Sequence, residues 1–297
     1  WLISNEGFMS GIGWISILKL KASYGVQGND DLYPGSNYAR KYYPYADNYT
    51  HSYNEATGEY STDLAYKGNE DLTWESSHSF NAGVDFELFG SRLSGSAEYF
   101  SRKTVDLLYS KDVPLSAGNP TGYYPVNVGS IVNNGFEVTL EGILINTDAL
   151  QWSLNMNHSH YRNSILSLDS SVSEEGIKGG NYIYKIGGSL YEAYMRKYAG
   201  VNPENGKAQW YRKVLDKDGA WTGESEITET FADASQYELG SVLPKLYGGF
   251  GTTFKAYGVD LSAQFSFQLG GRYYDGTYQA LMHTSSGIGT AWHKDVL

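Results

Sequence analysis

The feature that most constrains this chain is an unbroken alternation of apolar and polar residues over the eleven residues of Val259–Leu269. Every odd-numbered residue there is apolar and every even-numbered residue is polar, which predicts a β-strand with one apolar and one polar face. Soluble strands are typically about five or six residues long, whereas a tilted strand that crosses a bilayer needs roughly 9–11. The stretch is therefore either a long strand of a soluble sheet or a strand between lipid and a watery lumen.

The composition of the chain narrows the choice of function. It has 297 residues, no cysteine and a formal net charge of −11. The absence of cysteine excludes disulfides and thiolate metal sites, and the acidic charge argues against nucleic acid as a partner. No apolar run approaches the roughly 18 residues of a membrane-spanning helix, although a membrane β-barrel lacks such runs as well. The first residue is not methionine and the chain opens within a strand-like phrase, so we expect a piece of a longer protein.

The same alternation recurs along the chain, near residues 18–27, 79–88, 93–99, 136–140, 150–156 and 246–254. Short links alternate with long connections, which we expect near 28–75, 104–132 and 165–242, and residues 191–201 and 208–211 are candidates for a hairpin inside the last. Up-and-down membrane barrels show this order, with short periplasmic turns and long extracellular loops. The prediction is all-β: residues 1–297 form part of one antiparallel transmembrane β-barrel. A soluble sandwich shows the same alternation, but its strands are seldom so uniformly long.

Seven phrases of the sequence resemble the phrases of one known family. In chain order they are LKLKASYGVQGN at 18–29, NEDLTWE at 69–75, FNAGVDF at 80–86, RLSGSAEYFSRKTVDLL at 92–108, NVGSIVNNGFE at 127–137, YAGVNPENG at 198–206 and LPKLYGG at 243–249. Each is a strand or turn phrase, and the seven follow the order of the family that they resemble. This family is the SusC/RagA class of TonB-dependent outer-membrane transporters. The chain departs from the family at Glu70, where proline is common, and at Asn202, where aspartate is common.

The resemblance implies a 22-stranded barrel, of which this chain would be a middle-to-late part without the N-terminal plug. It also implies a SusD-like surface lipoprotein as a lid and the TonB–ExbB–ExbD complex as the energy source. The expected location is the outer membrane of a Gram-negative bacterium, with outer-membrane lipid around the barrel. The implied function is active import of an oligosaccharide or a peptide.

Loop tyrosines are the candidates for substrate contact. They are large amphipathic side chains that can stack on a glycan or a peptide, and they comprise Tyr42, Tyr43, Tyr45, Tyr123 and Tyr124. The alternative is that these tyrosines anchor loop packing or belong to an aromatic girdle at the membrane surface. No family phrase contains them.

Other chemistry has little support in the sequence. Residues 202–206 and 216–219 have the acidic, turn-forming look of calcium loops, but the ligand pattern is incomplete and solvated turns explain them. His158 and His160 share a strand face without a third ligand indicated. We expect no catalytic residue, no metal and no cofactor. Two other functions stay open: a secreted soluble β-rich glycan-binding module or hydrolase, and a passive porin or adhesin barrel.

Overall fold

A computed structural model of the chain describes residues 1–32, 40–169 and 176–281. Within these residues the backbone is almost entirely β, and one short helix, α1, spans Gly276–Leu281. The strands in chain order are β1 (Ile15–Asn29), β2 (Asn48–Asn54), β3 (Glu59–Tyr66), β4 (Glu75–Leu88), β5 (Leu93–Asp112), β6 (Tyr123–Asn146), β7 (Leu150–Ser167), β8 (Ile177–Gly179), β9 (Tyr182–Tyr184), β10 (Glu192–Arg196), β11 (Tyr198–Val201), β12 (Ala208–Leu215), β13 (Trp221–Thr228), β14 (Gln236–Ser241), β15 (Leu246–Ala256) and β16 (Val259–Leu269). Single 3₁₀ turns lie at Ile3–Asn5, Gly7–Met9, Leu115–Ala117 and Phe231–Asp233.

Seven long strands form one sheet in the order β1-β4-β5-β6-β7-β15-β16, and every neighbouring pair is antiparallel. All seven segments that alternate in the sequence lie in this sheet, so the prediction of an all-β antiparallel fold is confirmed. Over the described residues the sheet is open, with β1 and β16 at its edges. No helix in this part of the chain is long and apolar enough to span a membrane.

The apolar side chains of this sheet lie on one face, and that face is exposed. Phe265 is 54% exposed and Leu261 62% exposed, and Phe265 stacks on Phe250 across the β15–β16 pair at 5.0 Å between ring centroids. None of the buried apolar side chains of the described residues lies on this face; they are Leu32, Tyr66, Pro125, Ile165, Ile183, Ala193 and Ala234. A soluble sandwich would bury such a face in its core, and this sheet leaves it open. We call the apolar face outward and the polar face inward.

The inward face carries ion pairs and hydrogen bonds between neighbouring strands. The Lys21 ammonium lies 2.7 Å from an Asp85 carboxylate oxygen and also binds Glu98. Ser96 and Thr139 share a hydrogen bond of 2.7 Å between their hydroxyl oxygens. Because side chains alternate strictly between the two faces, these polar contacts lie opposite the apolar rings.

The short links lie together at one end of the sheet. The link between β4 and β5 has left-handed backbone at Phe89 (φ 56°), and the link between β15 and β16 has it at Tyr257 (φ 51°). Trp14, just before β1, stacks on Phe89 with ring centroids 5.6 Å apart. An aromatic cluster at the end of an apolar face is typical of a membrane interface.

The long connections lie at the opposite end, and one of them is shorter than the sequence predicts. Residues 104–132 were expected to form a loop, but β5 continues to Asp112 and β6 begins at Tyr123, so the connection is only residues 113–122. The other two contain strands of their own. Residues 28–75 carry the β2–β3 hairpin, and residues 165–242 carry the sheets β14-β10-β9-β8 and β11-β12-β13.

The predicted hairpin inside 165–242 is present as the antiparallel pair β11–β12. Residues 192–196 do not join it. As β10 they pair instead with β9 and β14, in a different sheet.

Candidate functional site

Three of the five predicted tyrosines form an exposed strip at the long-connection end. Tyr42, Tyr43 and Tyr45 are 74%, 65% and 51% exposed. The rings of Tyr43 and Tyr45 meet edge to face at 6.4 Å, and the Arg40 guanidinium lies 5.4 Å from the centre of the Tyr42 ring. Exposed rings of this kind are available for stacking on a ligand.

The backbone below this strip is held in place by Tyr66, the last residue of β3, and by the residues that follow it. The Tyr66 hydroxyl and the backbone N–H of Asn69 both donate to the Pro44 carbonyl, each at 3.2 Å. The Asp47 carboxylate accepts from the Gly68 amide at 2.8 Å and pairs with Lys67 at 2.7 Å. Bonding to Lys67 and to Gly68 lowers the pKa of Asp47 below its usual value. These contacts fix where the tyrosine strip lies.

The other two predicted tyrosines, Tyr123 and Tyr124, lie half-buried at the start of β6. The ring of Tyr123 is 6.2 Å from that of Tyr66, and the Lys41 ammonium lies 3.9 Å from the Tyr66 ring centre. Burial, with Tyr123 and Tyr124 close by, raises the pKa of Tyr66 to about 12. Tyr66 therefore joins the exposed strip to Tyr123, whereas burial limits what Tyr123 and Tyr124 can present to a ligand.

Asn127 ties three of the family phrases together below this cluster. Its side-chain amide donates to the carbonyls of Thr73 (2.9 Å) and Asp106 (2.7 Å), and its amide oxygen accepts from the Thr73 N–H at 2.8 Å. The strands kink beside it, with φ 53° at Asp106 and φ 55° at Gly129. Beyond this kink β5 and β6 pair only with each other, so the ribbon that carries Tyr123 extends past the sheet.

An aromatic patch on the inward face was not predicted. Tyr161 and Tyr247 meet edge to face at 6.2 Å, and with Phe100 they border an open cavity of about 490 Å³. Phe100 lies over Gly135, where a Cβ would come within 2.6 Å of the ring. Polar residues complete the lining: Ser79, Asn81, Ser101, Arg102 and Asn133. The sequence does contain a signal for this patch, because aromatic residues stand at inward positions where the alternation predicts polar ones.

The two loops considered for calcium are held by side chains. Asn202 and Asn205 donate to Glu229 at 2.6 and 3.0 Å, and these bonds, with Lys207 nearby, lower the pKa of Glu229. Asp216 accepts from the backbone amides of its own turn. Among the described residues no group of three His, Asp or Glu side chains is placed to hold a metal ion.

His158 and His160 lie on the outward face and not in a polar site. Both rings contact the ring of Phe136 on the neighbouring strand β6, at 5.6 and 5.3 Å between centroids.

Comparison with known families decides what kind of sheet this is. The family model described as TonB dependent receptor-like, β-barrel, matches residues 11–280. The chain belongs to the TonB-dependent receptor β-barrel family. The resemblance to the SusC/RagA class is confirmed by relatives from this TonB-dependent receptor family. TonB-dependent receptor SusC of Bacteroides thetaiotaomicron is 28% identical over 74% of this chain, and TonB-dependent receptor P39 of Formosa agariphila is 34% identical over 68% of it.

Solved structures of this family agree with the fold. The structure of the RagAB peptide transporter matches 99% of the chain with a TM-score of 0.75 and 26% identity. The chain spans only part of these TonB-dependent receptors: 18% of P39, 21% of SusC and 32% of the matched RagAB chain.

Proposed function

We propose that this chain is barrel wall and outer loops of an active importer in the outer membrane of a Gram-negative bacterium. The observation that carries the proposal is the exposed apolar face of the seven-stranded sheet, bordered by aromatic residues at the short-turn end. Exposed to water, a face of this size would be an aggregation hazard, whereas in a bilayer it is the surface that lipid tails cover. The polar inward face then lines the lumen of a barrel that, by family resemblance, has 22 strands.

The substrate in this proposal is an oligosaccharide or a peptide. The exposed strip Tyr42, Tyr43 and Tyr45 offers rings for stacking at the outer end, and the inward patch around Tyr161 and Tyr247 offers a second surface within the lumen. Both supply aromatic faces beside hydrogen-bonding groups, a combination that suits sugars as well as peptide side chains. The importer works with a SusD-like lipoprotein over the outer loops and is energised by TonB–ExbB–ExbD. No residue of the chain has a catalytic role in this proposal.

Uptake by cells that carry the full-length protein and its lipoprotein partner tests this proposal. The probes are fluorescent casein peptides and fluorescent malto-oligosaccharides, each with and without a protonophore. We expect one class of probe to accumulate and a protonophore to abolish its accumulation, because import through TonB depends on the proton gradient.

Two results would contradict active import. Accumulation that a protonophore leaves unchanged would indicate a passive porin. Hydrolysis of the oligosaccharide by the purified protein, in the absence of uptake, would indicate the soluble hydrolase.

A further inference from the structure

Charge is divided between the two faces of the seven-stranded sheet. On the short-turn side of the Asp106–Gly129 kink, every carboxylate in the sheet occupies an inward position by the strand register. The acidic or basic side chains at outward positions of the same strands are all bases. They are His78, Lys103, His158, His160 and Arg162. A chain with a net charge of −11 thus presents only bases on the face that we assign to lipid.

Two of these bases have no side-chain partner among the residues that the structure describes. Lys103 on β5 and Arg162 on β7 are exposed, and among the residues that the structure describes neither makes a side-chain hydrogen bond or an ion pair. The others differ: His78 bonds the Tyr24 hydroxyl at 2.8 Å, and His160 bonds the Lys245 carbonyl at 2.5 Å.

A neutral donor lies between the two cations. On β6, Asn134 stands directly opposite Arg162, and Ser101, which stands opposite Asn134 on β5, donates to its amide oxygen at 2.7 Å. The amide nitrogen of Asn134 is left without a partner in the described part of the chain. Across two strand spacings and two residues of offset, the Cα atoms of Lys103 and Arg162 are about 12 Å apart, which their long side chains can span. Lys103, Asn134 and Arg162 thus form a cluster of three hydrogen-bond-donating side chains that contains no acidic group.

The cluster lies at the height where the apolar band ends. Lys103 is ten residues above Leu93 on β5, and Leu93 begins the strand at the short-turn end. Ten residues rise about 33 Å along a strand, or about 25 Å along the membrane normal at a tilt of about 40°. That distance equals the height of the apolar band of outer-membrane barrels, about 25 Å. Lipid headgroups begin at this level.

We propose that Lys103, Asn134 and Arg162 bind the phosphate of a phosphate-bearing lipid in the outer leaflet. Arginine and lysine are the side chains that bind phosphate oxygens most strongly, and a partly desolvated interface strengthens these bonds. The acyl chains of the same lipid lie against the apolar face below, beside Tyr99 and Phe136. The inference rests on the proposed membrane location but not on transport.

Lipid binding to the full-length protein, purified in neutral detergent and stripped of lipid, tests this site. Monophosphoryl lipid A is titrated and bound lipid is counted by native mass spectrometry. The double variant K103Q/R162Q should bind at least about tenfold more weakly than wild type, because two charge-assisted bonds are lost. The control K217Q/K255Q removes the same charge from an exposed turn and from the inward face, and it should bind like wild type. Heat-modifiable migration in gels checks that each variant folds.

Several outcomes overturn the site. They are equal binding by K103Q/R162Q and wild type, equal binding of dephosphorylated lipid A, and displacement of the lipid by inorganic phosphate at the same concentration. Should the double variant not fold, the single variants K103Q and R162Q must each weaken binding several-fold for the proposal to stand. Lipid binding is measured without transport, so an absence of uptake in cells would contradict the importer alone.

Discussion

At the scale of single residues, the facing of side chains is the property that the sequence determines best. Phe265 and Gln264 are neighbours in β16, yet the register places Phe265 against Phe250 outward and Gln264 against Gly251 inward. Period-two alternation alone predicted this, because a strand has only two faces. The kink at Asp106 and Gly129 was not predictable in the same way, since it depends on which residues oppose each other across strands.

Substituting arginine at these two neighbours should give very different stabilities. Phe265→Arg places a charge among lipid tails near the middle of the apolar band, and we expect it to destabilise the full-length protein by about 2–4 kcal/mol. Gln264→Arg places the same charge in the watery lumen and should have little effect. Denaturant unfolding of the protein in lipid vesicles measures both, and equal losses would argue against the facing assigned to β16.

Gly129 should not tolerate a side chain. It has φ 55°, and a Cβ there would lie 2.1 Å from the Ser167 carbonyl oxygen. Gly129→Ala therefore requires the β6–β7 pair to separate, and we expect a loss of about 1–3 kcal/mol. Gly142→Ala is the matched control, because no atom lies within 4 Å of its Cβ position. Denaturant unfolding in lipid vesicles measures the stability of both variants, and equal stability would refute the steric argument.

At the scale of elements, the strands were predictable and their outer ends were not. The prediction placed a connection at residues 104–132, a stretch that contains Pro114, Pro120 and Pro125. The structure continues β5 and β6 as a ribbon, supported by contacts from residues far away in the chain, such as the bond from Asn69 to the Pro125 carbonyl (2.8 Å). Long-range contacts also place Tyr66 between the exposed tyrosines and Tyr123. No local sequence pattern reveals this position of Tyr66.

Asn127 should control the order of the outer segment. Asn127→Ala removes its bonds to Thr73 and Asp106 and leaves their backbone groups unpaired, at a local cost of about 1–3 kcal/mol. We expect faster hydrogen exchange over residues 40–75 and faster proteolysis there, with the strands below the kink unchanged. Asn155→Ala, at a half-buried inward position on β7 on the short-turn side of the kink, is the control. Unchanged exchange over residues 40–75 in Asn127→Ala would show that other contacts hold the segment.

The loop at residues 202–207 should loosen in acid. Hydrogen bonds from Asn202 and Asn205 hold the pKa of Glu229 below its value in the unfolded chain. The bonds therefore contribute fully above the unfolded pKa, and this contribution is lost as pH falls through the lower, folded pKa. Hydrogen exchange at residues 202–207 should accelerate over that acidic range. In Glu229→Gln this pH dependence should be absent, and its persistence would assign it to another group.

At the scale of the whole molecule, the central claim is that the outward face meets lipid. The family phrases and the alternation predicted the fold, but the location in a membrane follows only if the exposed apolar face has no protein partner. The chain contains no cysteine, so single cysteines introduced into the full-length protein can be labelled without background from this region.

The most direct test is a nitroxide scan of residues 259–269 in the full-length protein in lipid vesicles, which measures collisions with oxygen and with a water-soluble nickel complex. Oxygen concentrates in lipid and the nickel complex in water. The lipid-facing account predicts a period of two, with odd-numbered positions reached by oxygen and even-numbered positions by nickel. Odd-numbered positions shielded from both reagents would contradict it, because they would show that the apolar face is packed against protein.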